Sequence, residues 1–337
     1  MANIESEPQT AIAVTRDADA LVSVIVPCYN EEEVIEETHR RLTETLSEGG
    51  LNFEIIYVND GSADATLDLL RGLAESDEHT KFLSLSRNFG HQLAVTAGID
   101  VAQGESVVVI DADLQDPPAV ICEMHERWLE GADVVYGQRK QREGESAFKL
   151  MTAKAFYQIL NRLSDVDIPM DVGDFRLMDR EVATLMAKMR ERDRYLRGMV
   201  AWLGFKQVAV KYDRDARFAG ETKYPLSKMF GLAFNGLMSF SMAPLRFVLL
   251  LGMGVVGLAA LGVIYAISMR LLTDNWVDGW TLLFIAVMML SGVQLIVLGA
   301  IGEYVGRIYM QSKERPLYAV RERRGFQDFS SSRRADG

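Results

Sequence analysis

Cysteine is scarce. Cys28 and Cys122 are the only two, far apart on what read as a strand and a helix. A disulfide framework needs more cysteines and an oxidising compartment, so both read as reduced, mostly buried small side chains. Basic excess is also missing. The net charge of −11 argues against a nucleic-acid partner, which calls for a basic footprint. No charged-then-apolar leader opens the chain. The stretch MANIESEPQTAIAVTRDADA is polar and acidic, so residues 1–20 read as a flexible tail and the domain behind it as cytoplasmic. Finally, no G-x-G-x-x-G follows the first apolar run, which disfavours a dinucleotide-binding domain.

Charge is absent from two long segments near the C-terminus. Phe247 to Met269 is uncharged for about 23 residues, and Gly279 to Gly302 for about 24, where a membrane helix needs about 20. Residues 245–302 are therefore expected to hold two transmembrane helices, at about 247–269 and 279–302. Gly252, Gly254, Gly257, Gly262, Gly292 and Gly299 suit close helix packing in lipid and permit a homo-oligomer. The intervening loop, Arg270 to Asp278, carries one basic and two acidic residues. Arg307, Lys313, Arg315, Arg321, Arg323, Arg324, Arg333 and Arg334 follow the second run. Positive charge favours the cytoplasmic side, so residues 303–337 read as a basic cytoplasmic tail. Two crossings then put both termini and the N-terminal domain in the cytoplasm, with Trp276 and Trp280 at the outer interface.

Ahead of the spans, apolar runs alternate with amphipathic stretches as in a parallel α/β sheet. Strands are expected at Val22–Cys28, Glu54–Asn59, Phe82–Ser86, Ser106–Ile110 and Val134–Tyr136. Asn30 is expected to cap a helix whose buried stripe is Val34, Ile35, Thr38, Leu42 and Leu46, and further helices at His91–Ala102 and Val120–Glu130. Ligands of open α/β sheets bind beyond the carboxyl ends of the strands. Four strand ends deliver polar groups to that rim: Tyr29-Asn30-Glu31, Asp60, Asp111-Ala112-Asp113 and Gly137-Gln138-Arg139.

Asp111 and Asp113 follow the buried run VVVI directly, and two carboxylates so placed are costly unless their charge is compensated. A divalent cation bridging a diphosphate would do this, with oxygen ligands suited to Mg2+ or Mn2+. The alternative is a helix-capping turn with Pro117 near the first helical turn. The segment RNFGHQ (Arg87–Gln92) opens a helix whose amides can face an anion, while His91 at a helix start is more often structural. Pro225 to Met242 has Lys228 as its only charge and helical apolar spacing. Residues 225–244 therefore read as an amphipathic interfacial segment, with a core helix as the alternative.

SVIVPCYNE, VNDGS, DADLQDPP and ARFAGETKYP together resemble glycosyltransferase family 2, in the branch of dolichol-phosphate mannose synthases and bacterial polyprenyl-phosphate glycosyltransferases. The match covers about residues 20–245, and the two spans resemble those of the bactoprenol glucosyltransferases. The resemblance implies an inverting enzyme whose GT-A (Rossmann-like) α/β domain occupies 21–224. It implies a nucleotide-sugar site at Pro27, Tyr29, Glu31, Val58, Asp60, Asp111, Ala112, Asp113 and Arg139. It further implies a metal held by Asp111, Asp113 and Gln115, and an Arg217/Lys223 loop that closes over phosphates. Asp174, in DVGDFR, is then the candidate on the acceptor side, with Asp171 and Asp116 behind it, and a surface turn residue as the alternative. Asp174 and Asp113 are the expected catalytic pair.

The implied partners are a UDP-sugar, a polyprenyl phosphate and the membrane, with UDP-glucose as donor by resemblance. Mannose, galactose and an aminoarabinose derivative are alternatives. A processive polysaccharide synthase is disfavoured, because RYLRGMVAWLG lacks the Gln-x-x-Arg-Trp motif. A non-enzymatic assembly subunit with a degenerate transferase domain is the remaining rival.

Overall fold

The computed structural model describes residues 16–140, 172–214, 243–272 and 279–326. The expected interfacial segment, the 224/225 boundary and most of the interhelical loop lie outside these residues. One eight-stranded sheet organises the N-terminal part, in the order β7-β5-β6-β4-β1-β2-β3-β8. Its strands are β1 Val22–Cys28, β2 Phe53–Asn59, β3 Thr80–Leu85, β4 Ser106–Val109, β5 Val134–Arg139, β6 Val172–Asp179, β7 Gln207–Tyr212 and β8 Val320–Arg324. β1 lies between β2 and β4, parallel to both. Every residue of β1 and β2 is buried, which is why these strands read as continuous apolar runs without alternation.

Successive strand residues point to opposite faces, so the two faces build two cores. Val24, Val26 and Tyr57 pack with Leu42 of α1 (Ile35–Glu48), Leu70 of α2 (Thr66–Ser76), and Met124 and Trp128 of α4 (Ala119–Leu129). On the other face Ile25, Ile56 and Val107 meet Val95 of α3 (His91–Val101), Val182 of α5 (Arg180–Lys188) and Met199 of α6 (Leu196–Leu203). Gly98 lets α3 sit directly on the sheet. A Cβ there would fall 2.3 Å from Ile25 Cγ2, an overlap of the kind that costs about 1–3 kcal/mol.

The sheet is mixed where a parallel one was expected. β6 runs antiparallel to both β4 and β5, and β8 antiparallel to β3. The buried stripe of α1 is as anticipated, but the helix starts at Ile35. Asn30 does not cap it. With φ 55°, Asn30 turns its side-chain oxygen to the Ala63 N–H at 2.8 Å, while Glu31 to Val34 form a separate turn.

Two long helices follow, α7 (Ala243–Leu272) and α8 (Trp280–Ser312). Both contain apolar windows long enough to cross a membrane, and no part of either window is buried in the protein. Leu261 and Leu295 are 64% and 69% exposed, so these are not core helices of the sheet domain. α8 runs ten residues past the expected end at Gly302 and includes Glu303 and Arg307. Nor does the segment beyond it hang free. β8 closes the edge of β3, Arg71 grips Glu322 with Nε at 3.0 Å and Nη2 at 2.5 Å, and the Arg324 Nη1 to Glu75 distance is 2.6 Å.

Candidate active site

Because β1, β2, β3, β4 and β5 point the same way, their carboxyl ends form one rim. β6, running opposite, begins there. Pro27 and Val58 are paired in the β1–β2 register, both buried beneath the rim, with Tyr29 exposed at the end of β1. Asp60 accepts the backbone N–H groups of Phe89 at 2.7 Å and Gly90 at 2.8 Å, fastening the RNFGHQ loop to the end of β2. Gly61 carries φ +66°, and a Cβ on it would strike the Arg87 carbonyl carbon at 2.4 Å, so the two loops touch only because this residue is glycine. Glu31 donates its backbone N–H to Thr66 Oγ1 at 2.9 Å.

The loop after β4 is held from two directions. Thr38 on α1 donates its hydroxyl to the Ala112 carbonyl at 2.8 Å, and the Gln115 N–H bonds Asp113 at 3.1 Å. Between them Leu114, buried, takes a left-handed φ of 57°. A bulky residue held in that conformation is local strain of the kind that clusters at functional sites.

Antiparallel pairing brings in the acceptor-side candidate. Val109 pairs with Arg176, so two residues further along Asp111 faces Asp174 across the β4–β6 seam. His91 Nε2 lies between them, 3.1 Å from Asp174 Oδ2 and 3.8 Å from Asp111 Oδ1. Arg197 Nε bonds Asp174 Oδ1 at 2.8 Å, and Gln92 Nε2 approaches Oδ2 at 3.3 Å. On the far side of the Asp111–Asp113 loop, Asp116 is 1% exposed and accepts the Tyr212 hydroxyl. Arg139 Nη2 and Arg214 Nε stand 4.0 and 3.7 Å from that carboxylate, and Arg214 Nη2 is 4.0 Å from Asp113.

Four carboxylates (Asp111, Asp113, Asp116 and Asp174) and four cationic groups (His91, Arg139, Arg197 and Arg214) thus meet here, and the electrostatics follow. Burial pushes the Asp111 carboxyl up to about 6; the nearby Asp174, Asp116 and Asp113 add to this, and His91 opposes it. Burial alone would lower His91, but its hydrogen bond to Asp174 and the charges of Asp111 and Asp174 outweigh that and carry it up to about 9. Asp174 goes the other way. Despite burial, the Arg197 charge and the His91 hydrogen bond hold it well below the usual carboxylate range. Arg176, buried under the site, donates Nη2 to the Gly173 carbonyl at 3.0 Å and is lowered by burial to about 10.

Among the described residues no group of three or more His, Cys, Asp or Glu could by itself hold a metal ion. Asp111 and Asp113 therefore fit a cation as two carboxylates completed by other oxygens, from the Gln115 amide or from outside the protein. That is the ligand set Mg2+ takes when it binds through one or two carboxylates plus substrate phosphates. A raised Asp111 beside three other carboxylates is also a site that a bound cation would relieve.

The structure brings Asp111, Ala112, Asp113, Gln115, Arg139 and Asp174 together, with Pro27, Val58 and Asp60 under the same rim. Asp171, Arg217 and Lys223 lie outside the described residues. Sequence reasoning missed Arg197, Gln92, Tyr212 and Arg214 as site residues. Gln92 had a signal, being next to His91 in RNFGHQ; Arg197 had none, because only tertiary packing carries α6 to β6.

The family model described as glycosyl transferase family 2 matches residues 23–185. YkcC of Bacillus subtilis (strain 168), named an uncharacterized glycosyltransferase, is 48% identical over 306 residues, which is 91% of this chain and 95% of that protein. The bactoprenol glucosyl transferase of Shigella phage SfV is 40% identical over 300 residues, 89% of this chain and 98% of that protein. Among solved structures, glucosyl-3-phosphoglycerate synthase from Mycobacterium tuberculosis, in complex with Mn2+, UDP and phosphoglyceric acid, overlays with a TM-score of 0.43 at 20% identity, covering 64% of this chain and 75% of that one. With relatives this similar along nearly its whole length, the chain belongs to glycosyltransferase family 2.

Proposed function

We propose that this glycosyltransferase moves a hexose, glucose from UDP-glucose, onto polyprenyl phosphate at the cytoplasmic face of a membrane that α7 and α8 cross. One observation carries the reading. A rim holding Asp111, Asp113 and Asp174 belongs to a domain bonded directly to the end of an uncovered apolar helix, Arg307 Nη1 of α8 meeting Asp193 at 2.7 Å. A polyprenyl phosphate cannot leave the bilayer cheaply, so its enzyme has to bring the site to the headgroups. The bactoprenol glucosyl transferase relative supports both the lipid and the sugar.

Donor recognition is assigned to Pro27, Tyr29, Glu31, Val58, Asp60 and Ala112 around the nucleoside and to Arg139 at the diphosphate. Asp111, Asp113 and Gln115 would hold Mg2+ or Mn2+. Bound there, such an ion supplies Lewis-acid stabilisation of the departing diphosphate. Arg217 and Lys223 are assigned to phosphate recognition in a closing loop. The bond formed joins a lipid phosphate oxygen to the anomeric carbon, and the bond broken releases UDP. A phosphate monoester has its second pKa near 6, so the acceptor is largely dianionic at neutral pH and needs no base. Asp174 suits this chemistry. A carboxylate gripped by Arg197 and His91 is a weak proton acceptor and a good positioning group.

The test is to incubate membranes containing the protein with radiolabelled UDP-glucose, GDP-mannose and UDP-galactose in turn. Label from UDP-glucose entering the lipid phase is the expected result. Label from one of the others alone would replace the donor, and no lipid label from any nucleotide-sugar would overturn the acceptor.

A further inference from the structure

We propose that Arg197 is a positioning residue for Asp174, and that the cytoplasmic end of α8 sets it through the loop leading into α6. The proposal rests on the acceptor-side role of Asp174 given above. It concerns how that carboxylate is held in register with the membrane helices.

Asp174 is buried, and three donors aim it: Arg197 at one oxygen, His91 and Gln92 at the other. His91 and Gln92 come from the first turn of α3, which Gly98 seats on β1. Arg197 comes from a different body, the second residue of α6. Gln92 ties the two together, for its side-chain oxygen accepts the Leu196 N–H at 2.9 Å while its amide nitrogen reaches Asp174. A shift of α6 would therefore move Arg197 and strain the Gln92 bridge at once.

What precedes α6 is bonded to α8. Gln311 Oε1 accepts the Arg192 N–H at 3.1 Å, and Gln311 Nε2 donates to the Arg190 carbonyl at 2.9 Å. Arg192 Nη2 reaches the Arg315 carbonyl at 2.9 Å, and Arg307 Nη1 reaches Asp193 at 2.7 Å. Arg190 Nη1 and the Tyr318 hydroxyl both bond Asp100 Oδ2 on α3, at 2.7 and 2.6 Å. Loop 190–195 is thus held by α8 and the segment after it, and it leads within two residues to Arg197. The physical reason for such a strut lies in the acceptor. A lipid phosphate is fixed at headgroup depth, so a carboxylate that meets it needs a fixed height relative to the helices in the bilayer. An ion pair serving only to neutralise a buried carboxylate would not need its loop bonded to α8.

The experiment is a double-mutant cycle on the purified full-length protein in detergent. It uses the donor that labels lipid in the assay above and a short-chain polyprenyl phosphate. Arg197→Ala is expected to lower kcat about tenfold or more, the scale of one charge-assisted hydrogen bond, while UDP affinity measured by calorimetry stays within about twofold. Arg197→Lys should recover part of the loss. In an Asp174→Ala background, Arg197→Ala should change the rate by less than about twofold, because non-additivity marks residues acting through one another. Gln311→Ala combined with Asp193→Ala should lower kcat in the same direction and add little to Arg197→Ala. Full additivity of Arg197→Ala on Asp174→Ala would overturn the positioning role and leave the Asp174 assignment intact. Wild-type kinetics for Asp174→Ala would remove that assignment and this proposal with it. If Arg197→Ala does not fold, Arg197→Gln and Arg197→Lys run the same cycle. A wild-type rate for the Gln311/Asp193 double variant would sever α8 from the site.

Discussion

Gly90 donates its backbone N–H to the Asp60 carboxylate at 2.8 Å, and this bond joins the end of β2 to the loop that carries His91. The Phe89 N–H takes the other oxygen at 2.7 Å. A residue expected to face the nucleoside is therefore also the fastener of the loop beside it. Asp60→Ala should strand two amides and lower stability by about 1.5–3 kcal/mol, the worth of hydrogen bonds to a charged group. Transfer should fall with it, because His91 is no longer held between Asp111 and Asp174. Thermal melts alongside UDP titration check this. An unchanged melting temperature with weakened UDP binding would make Asp60 a nucleoside contact alone.

Asp113→Ala should abolish transfer while leaving the fold intact, since its carboxylate lies on a partly exposed loop, bonded to the Gln115 N–H two residues on and 4.0 Å from Arg214. Chelation with EDTA should reproduce the loss in the wild type, and added Mn2+ or Mg2+ should restore the wild type but not the variant. Full activity of the variant in chelator would remove the cation from the mechanism.

Much of this site was legible because its signals are local. Asp111 and Asp113 directly follow a buried strand, and β1 appears over Val22–Cys28 as its apolar run predicts. What was not legible depends on contacts remote in sequence. The VRERR segment reads as a charge run, yet it is β8, because β3 offers an open edge and Arg71 and Glu75 supply partners for Glu322 and Arg324. Asn30 carries the sequence signature of a helix cap, but Ala63 competes for its side chain and wins. Arg197 sits in a stretch informative beforehand only for a motif it lacks. Its meaning comes from the antiparallel insertion of β6, which sets Asp174 opposite Asp111.

Topology gives a third expectation. Because Arg307 and Gln311 bond the loop before α6, the end of α8 should lie on the same side of any membrane as the sheet domain. Single cysteines on a cysteine-free background should react with an impermeant reagent in intact cells only within Arg270–Asp278. Labelling at position 321 before lysis would overturn the two-crossing arrangement.

His125 should contribute a measurable pH dependence to stability. It is buried on α4, its ring tilted 34° against Trp128 with centroids 5.3 Å apart, and its Nε2 has no hydrogen-bond partner among the described residues. Burial lowers its pKa below the ordinary value, the neighbouring Glu126 opposing only in part. Below about pH 6.5 the unfolded chain then binds a proton that the folded chain resists, so stability falls as pH drops through that value toward the folded pKa. His125→Leu should flatten the slope, by at most about 1.4 kcal/mol per pH unit for one group. Equal slopes for variant and wild type between pH 7 and 5 in thermal melts would show that His125 does not resist protonation.

Asp174→Asn tests whether transfer needs a base. The asparagine keeps the shape of the side chain and can still accept from Arg197, but it cannot take a proton. Losing the carboxylate charge against Arg197 and His91 should lower the rate roughly tenfold to a hundredfold, the scale of a charge-assisted bond, and Asp174→Ala should lose more. The wild-type rate should rise with pH through about 6, where the lipid phosphate loses its second proton. Asp111 is pushed up to about 6 only while no cation relieves it, so the profile is taken at saturating Mg2+ or Mn2+ and the owner of the limb is then identified. An acceptor analogue with a higher second pKa should move the limb upward if the phosphate owns it. Asp174→Asn should leave it in place with either acceptor. An asparagine variant as inactive as alanine, with donor and acceptor binding unchanged, would return Asp174 to the role of proton acceptor. Loss of the acid limb in that variant would lead to the same conclusion.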